Sequence, residues 1–231
     1  MAMLECKHLT KNYGAVCAVS GLDLSLEAGQ IVGLLGPNGS GKTTLIKIAA
    51  GLLRPSDGSL FIDGKQPGRE TRSIVSYLPD RDFLPAYMNV EQLLGFYEDF
   101  FADFNRDKAD DMLQDLNLSY DMKLKKMSKG TKEKIQLILT MSRRAKVYLL
   151  DEPIAGVDPA ARDYILKTII TNYDPKAMVL ISTHLIADVE PVLDDIVFIE
   201  QGQVIMHDAA DTMREREGRS IDKLFREVFK C

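Results

Sequence analysis

Gln30-Ile31-Val32-Gly33-Leu34-Leu35-Gly36-Pro37-Asn38-Gly39-Ser40-Gly41-Lys42-Thr43-Thr44 is the stretch that decides the architecture of this chain. Its first six residues form an almost unbroken apolar run, which suits a strand covered on both faces of a sheet. Gly36 to Gly41 is a glycine-rich turn, and the pattern from Lys42 to Leu53 predicts a helix that starts inside it. Gly36 to Thr43 match G-x-x-x-x-G-K-[ST]. A loop so rich in glycine can curl until several backbone N–H groups point at one place. The helix behind it adds unpaired N–H groups and the positive end of its dipole. Such a loop fits a polyphosphate. Lys42 brings a point charge to the β- and γ-phosphates, the Thr43 hydroxyl suits Mg²⁺, and Thr44 completes the nucleotide-binding set.

Moving outward, Val147 to Leu150 is a second buried-strand pattern, and Asp151-Glu152-Pro153 follows it. An aspartate at the end of a core strand can hold Mg²⁺, usually through its water shell, and ligands of open α/β sheets gather at that edge. Glu152, one residue on, can face the γ-phosphate and polarise an attacking water. Ala177 to Ser182 is a third run, ending at Thr183-His184. Asp195 to Glu200 is a fourth, and Gln201-Gly202 turns it into Gln203 to Met206 as a hairpin. Pro159 to Tyr173 has helical spacing, so strands and helices alternate. Before residue 30, Leu4 to Leu9 and Val16 to Leu26 read as strands with no helix between them, hence an antiparallel sheet. Residues 84–143 contain helical patterns at Asn89 to Phe104, Lys108 to Leu116 and Thr131 to Ser142, and no strand.

The fold expected is therefore α/β: a P-loop NTPase core with a mainly parallel sheet, an N-terminal antiparallel β subdomain and an inserted all-helical subdomain. The core and β subdomain take 1–83 and 144–210, the helical insertion 84–143, and a helical tail 211–231, with Ser220 to Lys230 the clearest helix in it.

The chain has 231 residues, 45% hydrophobic and 27% charged, with a formal net charge of −5. That length can bury a large core, and the acidic balance gives no global field toward nucleic acid or anionic lipid. Cys6, Cys17 and Cys231 are too few and too scattered for a disulfide framework or a zinc site. No apolar run approaches the ~20 residues needed to span a bilayer, and the polar N-terminus does not resemble a signal peptide.

Lys42, Thr43 and Asp151 alone say only that a nucleotide is bound. Four further pieces resemble the ABC ATPase family along nearly the whole chain, from Leu4 to about Met206. Met127-Ser128-Lys129-Gly130-Thr131 stands where the family has its signature, Leu-Ser-Gly-Gly-Gln. Ala155-Gly156-Val157-Asp158-Pro159 resembles the D-loop, and Ser182-Thr183-His184 the switch histidine. Tyr13, in Lys11-Asn12-Tyr13-Gly14, stands where the family stacks an aromatic ring on adenine.

The resemblance implies the ATP-hydrolysing subunit of an ABC transporter, with ATP and Mg²⁺ as cofactors. Two such chains, identical or closely related, would sandwich two ATP molecules. Each ATP lies between the phosphate loop of one chain and Ser128, Lys129 and Gly130 of the other. Glu152, His184 and Lys42 would be the catalytic groups, and Asp158 would communicate between sites. A separate transmembrane permease would hold the protein at the cytoplasmic face of the cell membrane; no nucleic-acid partner is expected. Resemblance to exporter subunits with similarly altered signatures favours export.

Two residues depart from the family pattern. Lys129 replaces the first signature glycine, and Asp80, in Ser76-Tyr77-Leu78-Pro79-Asp80, replaces a glutamine that contacts Mg²⁺ or water. Asp80 can still ligate a hard cation through oxygen. Blander readings stand beside these. Tyr13 also fits an ordinary strand tyrosine, His184 a core-edge histidine, and Asp158-Pro159 a helix cap. The aromatics from Phe83 to Phe104 fit the core of the helical insertion or a docking patch. The basic residues from Lys123 to Lys146 fit a solvated face. The competing function is a soluble ABC ATPase of translation or DNA repair, but fused cassettes and long coiled coils are missing from the sequence.

Overall fold

The unbroken apolar runs become the strands of one sheet. The computed structural model describes residues 2–229, the side chains of residues 160 and 161 excepted. In chain order its strands and helices are β1 (Leu4–Tyr13), β2 (Val16–Leu26), β3 (Ile31–Leu35), α1 (Lys42–Ala49), β4 (Asp57–Ile62), α2 (Arg69–Arg72), β5 (Val75–Leu78), α3 (Val90–Phe100), α4 (Arg106–Asp115), α5 (Lys129–Met141), β6 (Val147–Asp151), α6 (Pro159–Asn172), β7 (Met178–Thr183), α7 (Ile186–Val189), β8 (Asp195–Glu200), β9 (Gln203–Ala209), α8 (Ala210–Glu217) and α9 (Ile221–Val228).

Six strands form the main sheet in the order β5-β6-β7-β3-β8-β9. All neighbours are parallel except β8 and β9, which pair antiparallel through Gln201 (φ 48°) and Gly202 (φ 77°). Successive positive φ values suit a tight hairpin, as the Gln-Gly signal predicts. Alternate residues of β3 enter two different cores: Ile31 and Leu35 one, Val32 and Leu34 the other. Burial on both faces is why the run shows no polar alternation. The mixed α/β fold with a parallel-rich sheet is thus the one the sequence implied.

The N-terminal sheet is antiparallel, as expected, but has a third strand, in the order β2-β1-β4. Its short Asp57–Ile62 strand lies among glycine and proline signals. The first helix ends at Ala49 instead of Leu53, where Gly51 adopts φ 70° and breaks it. Between residues 90 and 141 the described elements are helical, two isolated bridges at Asn89–Lys123 and Phe104–Arg143 aside.

The aromatic stretch divides. Tyr97 and Phe104 pack against the core, whereas Phe96 and Phe100 are 40% and 69% exposed and stack at 4.4 Å. One residue of the supposedly solvated basic stretch is buried. Arg143 forks onto Asp103, donates to the carbonyl of Val75 and lies 4.0 Å from the Phe101 ring centre. Within the tail, Ile221, Leu224 and Phe225 of α9 are buried, and Phe225 and Phe229 pack on Phe198. The helix expected over Ser220 to Lys230 is seen as far as Val228; Lys230 and Cys231 lie outside the described residues.

Candidate functional site

Parallel pairing delivers the candidate residues to one edge. The loop Gly36–Gly41 follows β3, Asp151 ends β6, His184 follows β7, and Asp80 lies two residues past the end of β5. In register, Asp151 stands beside Ser182, and Leu35 beside Thr183. A cleft of about 490 Å³ opens there, lined by Gly39, Lys42, Thr43, Asp80, Glu152 and His184 among others, with Asn38, Ser40, Gly41 and Thr44 also on its wall.

Space dictates two of the loop's three glycines, Gly36 and Gly41, whereas Gly39 faces open space. Gly41, the N-cap of α1, has φ 108°, and a Cβ there would sit 2.4 Å from the Ala18 carbonyl oxygen. A Cβ on Gly36 would sit 2.3 Å from the Ile199 oxygen. The phosphate loop is therefore braced from behind by β2 and by the β8–β9 turn. Ser40 O also accepts from Gly202 N at 2.9 Å, tightening that brace. Lys42 Nζ donates to Gly36 O at 2.7 Å and Pro37 O at 3.1 Å, and lies 3.6 Å from Glu152 Oε1. Burial pulls the Lys42 ammonium below the usual lysine range, with Glu152 and Asp151 opposing.

Asp151 is almost fully buried. Its Oδ1 accepts from Thr43 Oγ1 at 3.0 Å and Ser182 Oγ at 2.7 Å, while Oδ2 has no hydrogen-bond partner from the protein. Burial raises its carboxyl pKa; the two hydroxyls work against that, and the charge of Asp80 adds to it. An orphaned carboxylate oxygen beside a threonine hydroxyl and a second carboxylate is a hard-oxygen set that fits Mg²⁺. No group of three His, Cys, Asp or Glu side chains able to hold a metal occurs among the described residues. A cation here would need oxygens from phosphate and water, which is how Mg²⁺ is commonly bound.

Glu152 has φ 52°, a left-handed value that costs a non-glycine residue of order 1–3 kcal/mol. Its N–H donates to Ser182 O at 3.0 Å and lies 3.1 Å from Ser182 Oγ, and its Oε2 is 3.0 Å from His184 Nδ1. Glu152 is thus gripped at backbone and side chain by one segment, 182–184. Asp80 sits on a loop fastened to α5: Lys132 Nζ meets Asp82 Oδ2 at 2.6 Å, and Gln136 Nε2 donates to Arg81 O at 3.0 Å.

Other sequence candidates lie apart. Ser128 caps α5, accepting from Thr131 N at 3.2 Å, and Ser128, Lys129 and Gly130 are all exposed. Gly130 faces open space, since a Cβ added there would meet nothing within 4 Å, while Lys129 Nζ approaches Gly156. Tyr13, at the end of β1, is 48% exposed with Lys11 Nζ 5.5 Å from its ring centre, and does not line the cleft. Asp158 stands just before α6. Sequence reading missed Ala18, Ser182 as the partner of Asp151, Lys132 and Gln136. Their signal is spatial, except that Ser182 precedes Thr183-His184 directly.

Residues 19–155 match the ABC transporter family model. The chain is 33% identical over 89% of its length to the lipopolysaccharide export system ATP-binding protein LptB of Haemophilus influenzae, covering 90% of that protein. The chain belongs to the ABC transporter family. It is 30% identical to the Nod factor export ATP-binding protein I of Burkholderia orbicola, over 94% of this chain and 74% of that one. A solved ATP-binding subunit of an ABC transporter superposes with a TM-score of 0.87 at 28% identity, covering 98% of this chain and 99% of the other. ABC ATPases of this kind bind and hydrolyse ATP, and this chain is an ATP-binding subunit of that type. Among the described residues no helix is long and apolar enough to cross a membrane.

Proposed function

We propose that this ABC subunit hydrolyses Mg-ATP at the cleft between the phosphate loop and Glu152, as half of a head-to-tail dimer that drives a separate transmembrane permease. One observation carries the reading: at the carboxyl edge of the sheet Glu152 contacts Lys42 and His184, Asp151 contacts Thr43, and Ser182 bridges the two sets. Lys42 donates to two neutral carbonyls; a β- or γ-phosphate offers it a charged acceptor, and charge-assisted bonds are stronger. The N–H groups of Gly39 and of Gly41 to Thr43, with the α1 dipole, would hold the phosphates, while the Ser40 N–H donates to Pro37 O within the loop. Thr43, Asp151 and Asp80 would hold Mg²⁺, which when bound neutralises charge on the phosphate oxygens. Glu152 orients the water that attacks the γ-phosphorus, and His184 fixes the Glu152 carboxylate and contacts the γ-phosphate. Tyr13 would stack on adenine.

The exposure of Ser128, Lys129 and Gly130 at the start of α5 supports a role across a subunit interface. Ser128 Oγ already takes the Thr131 N–H, and the Lys129 and Gly130 N–H groups, which α5 itself cannot pair, would be completed by the γ-phosphate of a second chain's ATP. Asp158 would lie at the same interface. Cleavage removes the bridging phosphate and loosens the pair. The division into core, helical insertion 84–143 and tail 211–231 belongs to this reading, with the exposed Phe96–Phe100 stack on the insertion. Export as the direction of transport rests on the exporters among the relatives, and attachment at the cytoplasmic membrane face follows from the permease. Glu152→Gln should abolish turnover and convert the protein, on addition of Mg-ATP, into a stable dimer by light scattering. Turnover at the unaltered rate would remove Glu152 from its role.

A further inference from the structure

Two segments flank the catalytic glutamate, and one side chain joins them. The loop Ala155–Asp158 leads from Glu152 toward α6. The segment after β7 carries His184 and continues into α7, a single turn whose Ile186 and Val189 are buried in the core. Arg162, in the first turns of α6, reaches both. Its Nε donates to the Val157 carbonyl at 3.0 Å, and its Nη1 donates to Asp188 Oδ2, on α7, at 2.8 Å. A guanidinium presents its donors in a rigid planar fork, so the two contacts fix the spacing of their acceptors. Val157 adjoins Asp158, and Asp188 lies four residues beyond His184 on a segment with little length to absorb a shift. Thr183 Oγ1 accepts from Leu185 N at 3.0 Å, which stiffens the entry to α7.

We propose that Arg162 is a positioning residue for ATP hydrolysis. It makes loop 155–158 and the His184 segment move as one body, so a change at the subunit-facing loop alters how His184 holds Glu152. The inference rests on the dimer reading above, since the loop needs a second chain to respond to. The ion pair is partly open to solvent, with the two side chains 24% and 37% accessible, and solvent-screened pairs add little to stability. Loss of the pair should therefore show in turnover and not in stability.

The test compares steady-state ATP hydrolysis by the full chain as Arg162→Gln, Asp188→Asn, the double variant and Arg162→Lys. Arg162→Gln and Asp188→Asn should each lower kcat roughly tenfold, the scale of coupling residues remote from the ligand, with the KM for ATP and the melting temperature unchanged. The Hill coefficient for ATP should fall toward 1. The double variant should be no worse than either single one, because both break the same link. Arg162→Lys should recover only part of kcat, since an ammonium lacks the fork that spans Val157 O and Asp188. Unchanged kcat and Hill coefficient in Arg162→Gln would overturn the proposal, as would full recovery by lysine, additive losses in the double variant, or a kcat loss matched by a fall in melting temperature. Glu152→Gln run alongside separates the two ideas. If it fails to trap an ATP-bound dimer, the dimer reading has failed; if it traps one while Arg162→Gln behaves as unaltered protein, only the role of Arg162 has.

Discussion

Removing one hydroxyl, in Ser182→Ala, should damage this enzyme twice over. Ser182 is fully buried, and its Oγ donates to Asp151 Oδ1 at 2.7 Å. Asp151 Oδ2 has no protein partner, so after the substitution the carboxylate keeps only the Thr43 hydroxyl. A hydrogen bond to a charged group is worth about 1.5–3 kcal/mol, and a buried carboxylate cannot turn to water for a replacement. The Glu152 N–H loses little, because the Ser182 carbonyl still accepts it at 3.0 Å. A loss of about 2 kcal/mol lowers the melting temperature of a domain this size by about 4–8 °C. Asp151 and the strained Glu152 backbone both lean on Ser182, so kcat should also fall by about ten- to a hundredfold, the effect of small misplacements of reacting groups. Thermal unfolding followed by circular dichroism and a phosphate-release assay at saturating Mg-ATP read the two effects. A variant with the melting temperature and kcat of the unaltered protein would refute this account of Ser182.

Two further predictions concern charge. His207 Nε2 lies 2.8 Å from Asp195 Oδ2, and that hydrogen bond, against an opposing effect of burial, lifts the imidazolium pKa above its usual 6.5. Because the folded value exceeds the unfolded one, the stabilisation is complete below the unfolded pKa and fades as pH rises through the folded value. The stability gap between the protein and its His207→Gln variant should therefore be wider at acid pH than at alkaline pH; a gap independent of pH would contradict it. Asp80→Asn removes a charged oxygen from the proposed cation site while keeping its size. The Mg²⁺ concentration for half-maximal turnover should rise by roughly tenfold, as for other residues that support a bound metal, and an unmoved Mg²⁺ titration would exclude Asp80.

Much of this was legible because the chemistry is local in sequence. Gly36 to Thr43 carry the loop and the helix start in eight consecutive residues directly behind β3, and Asp151 ends its strand with Glu152 next to it. The parallel sheet was legible because strands buried on both faces leave unbroken apolar runs. What stayed hidden is what folding brings together. Ala18 presses on Gly41 from a strand of another sheet, and no pattern around it announces that contact. The short β4 lies among turn residues, and its alternation over six positions is weak. Arg143 sits in a run of basic residues that reads as solvated, yet Asp103 and three backbone carbonyls enclose it. The aromatic stretch divides because helix periodicity turns Tyr97 inward and leaves Phe96 and Phe100 outside.

Whether this cleft takes up Mg-ATP through Lys42 is decided by isothermal titration of the purified chain, with Lys42→Ala beside the unaltered protein. The unaltered chain should give a saturable heat and the variant should lose it, because the ammonium seated against Gly36 and Pro37 is the cation that the loop brings to the cleft wall. Equal binding by both proteins, or none by a folded unaltered chain, would contradict it.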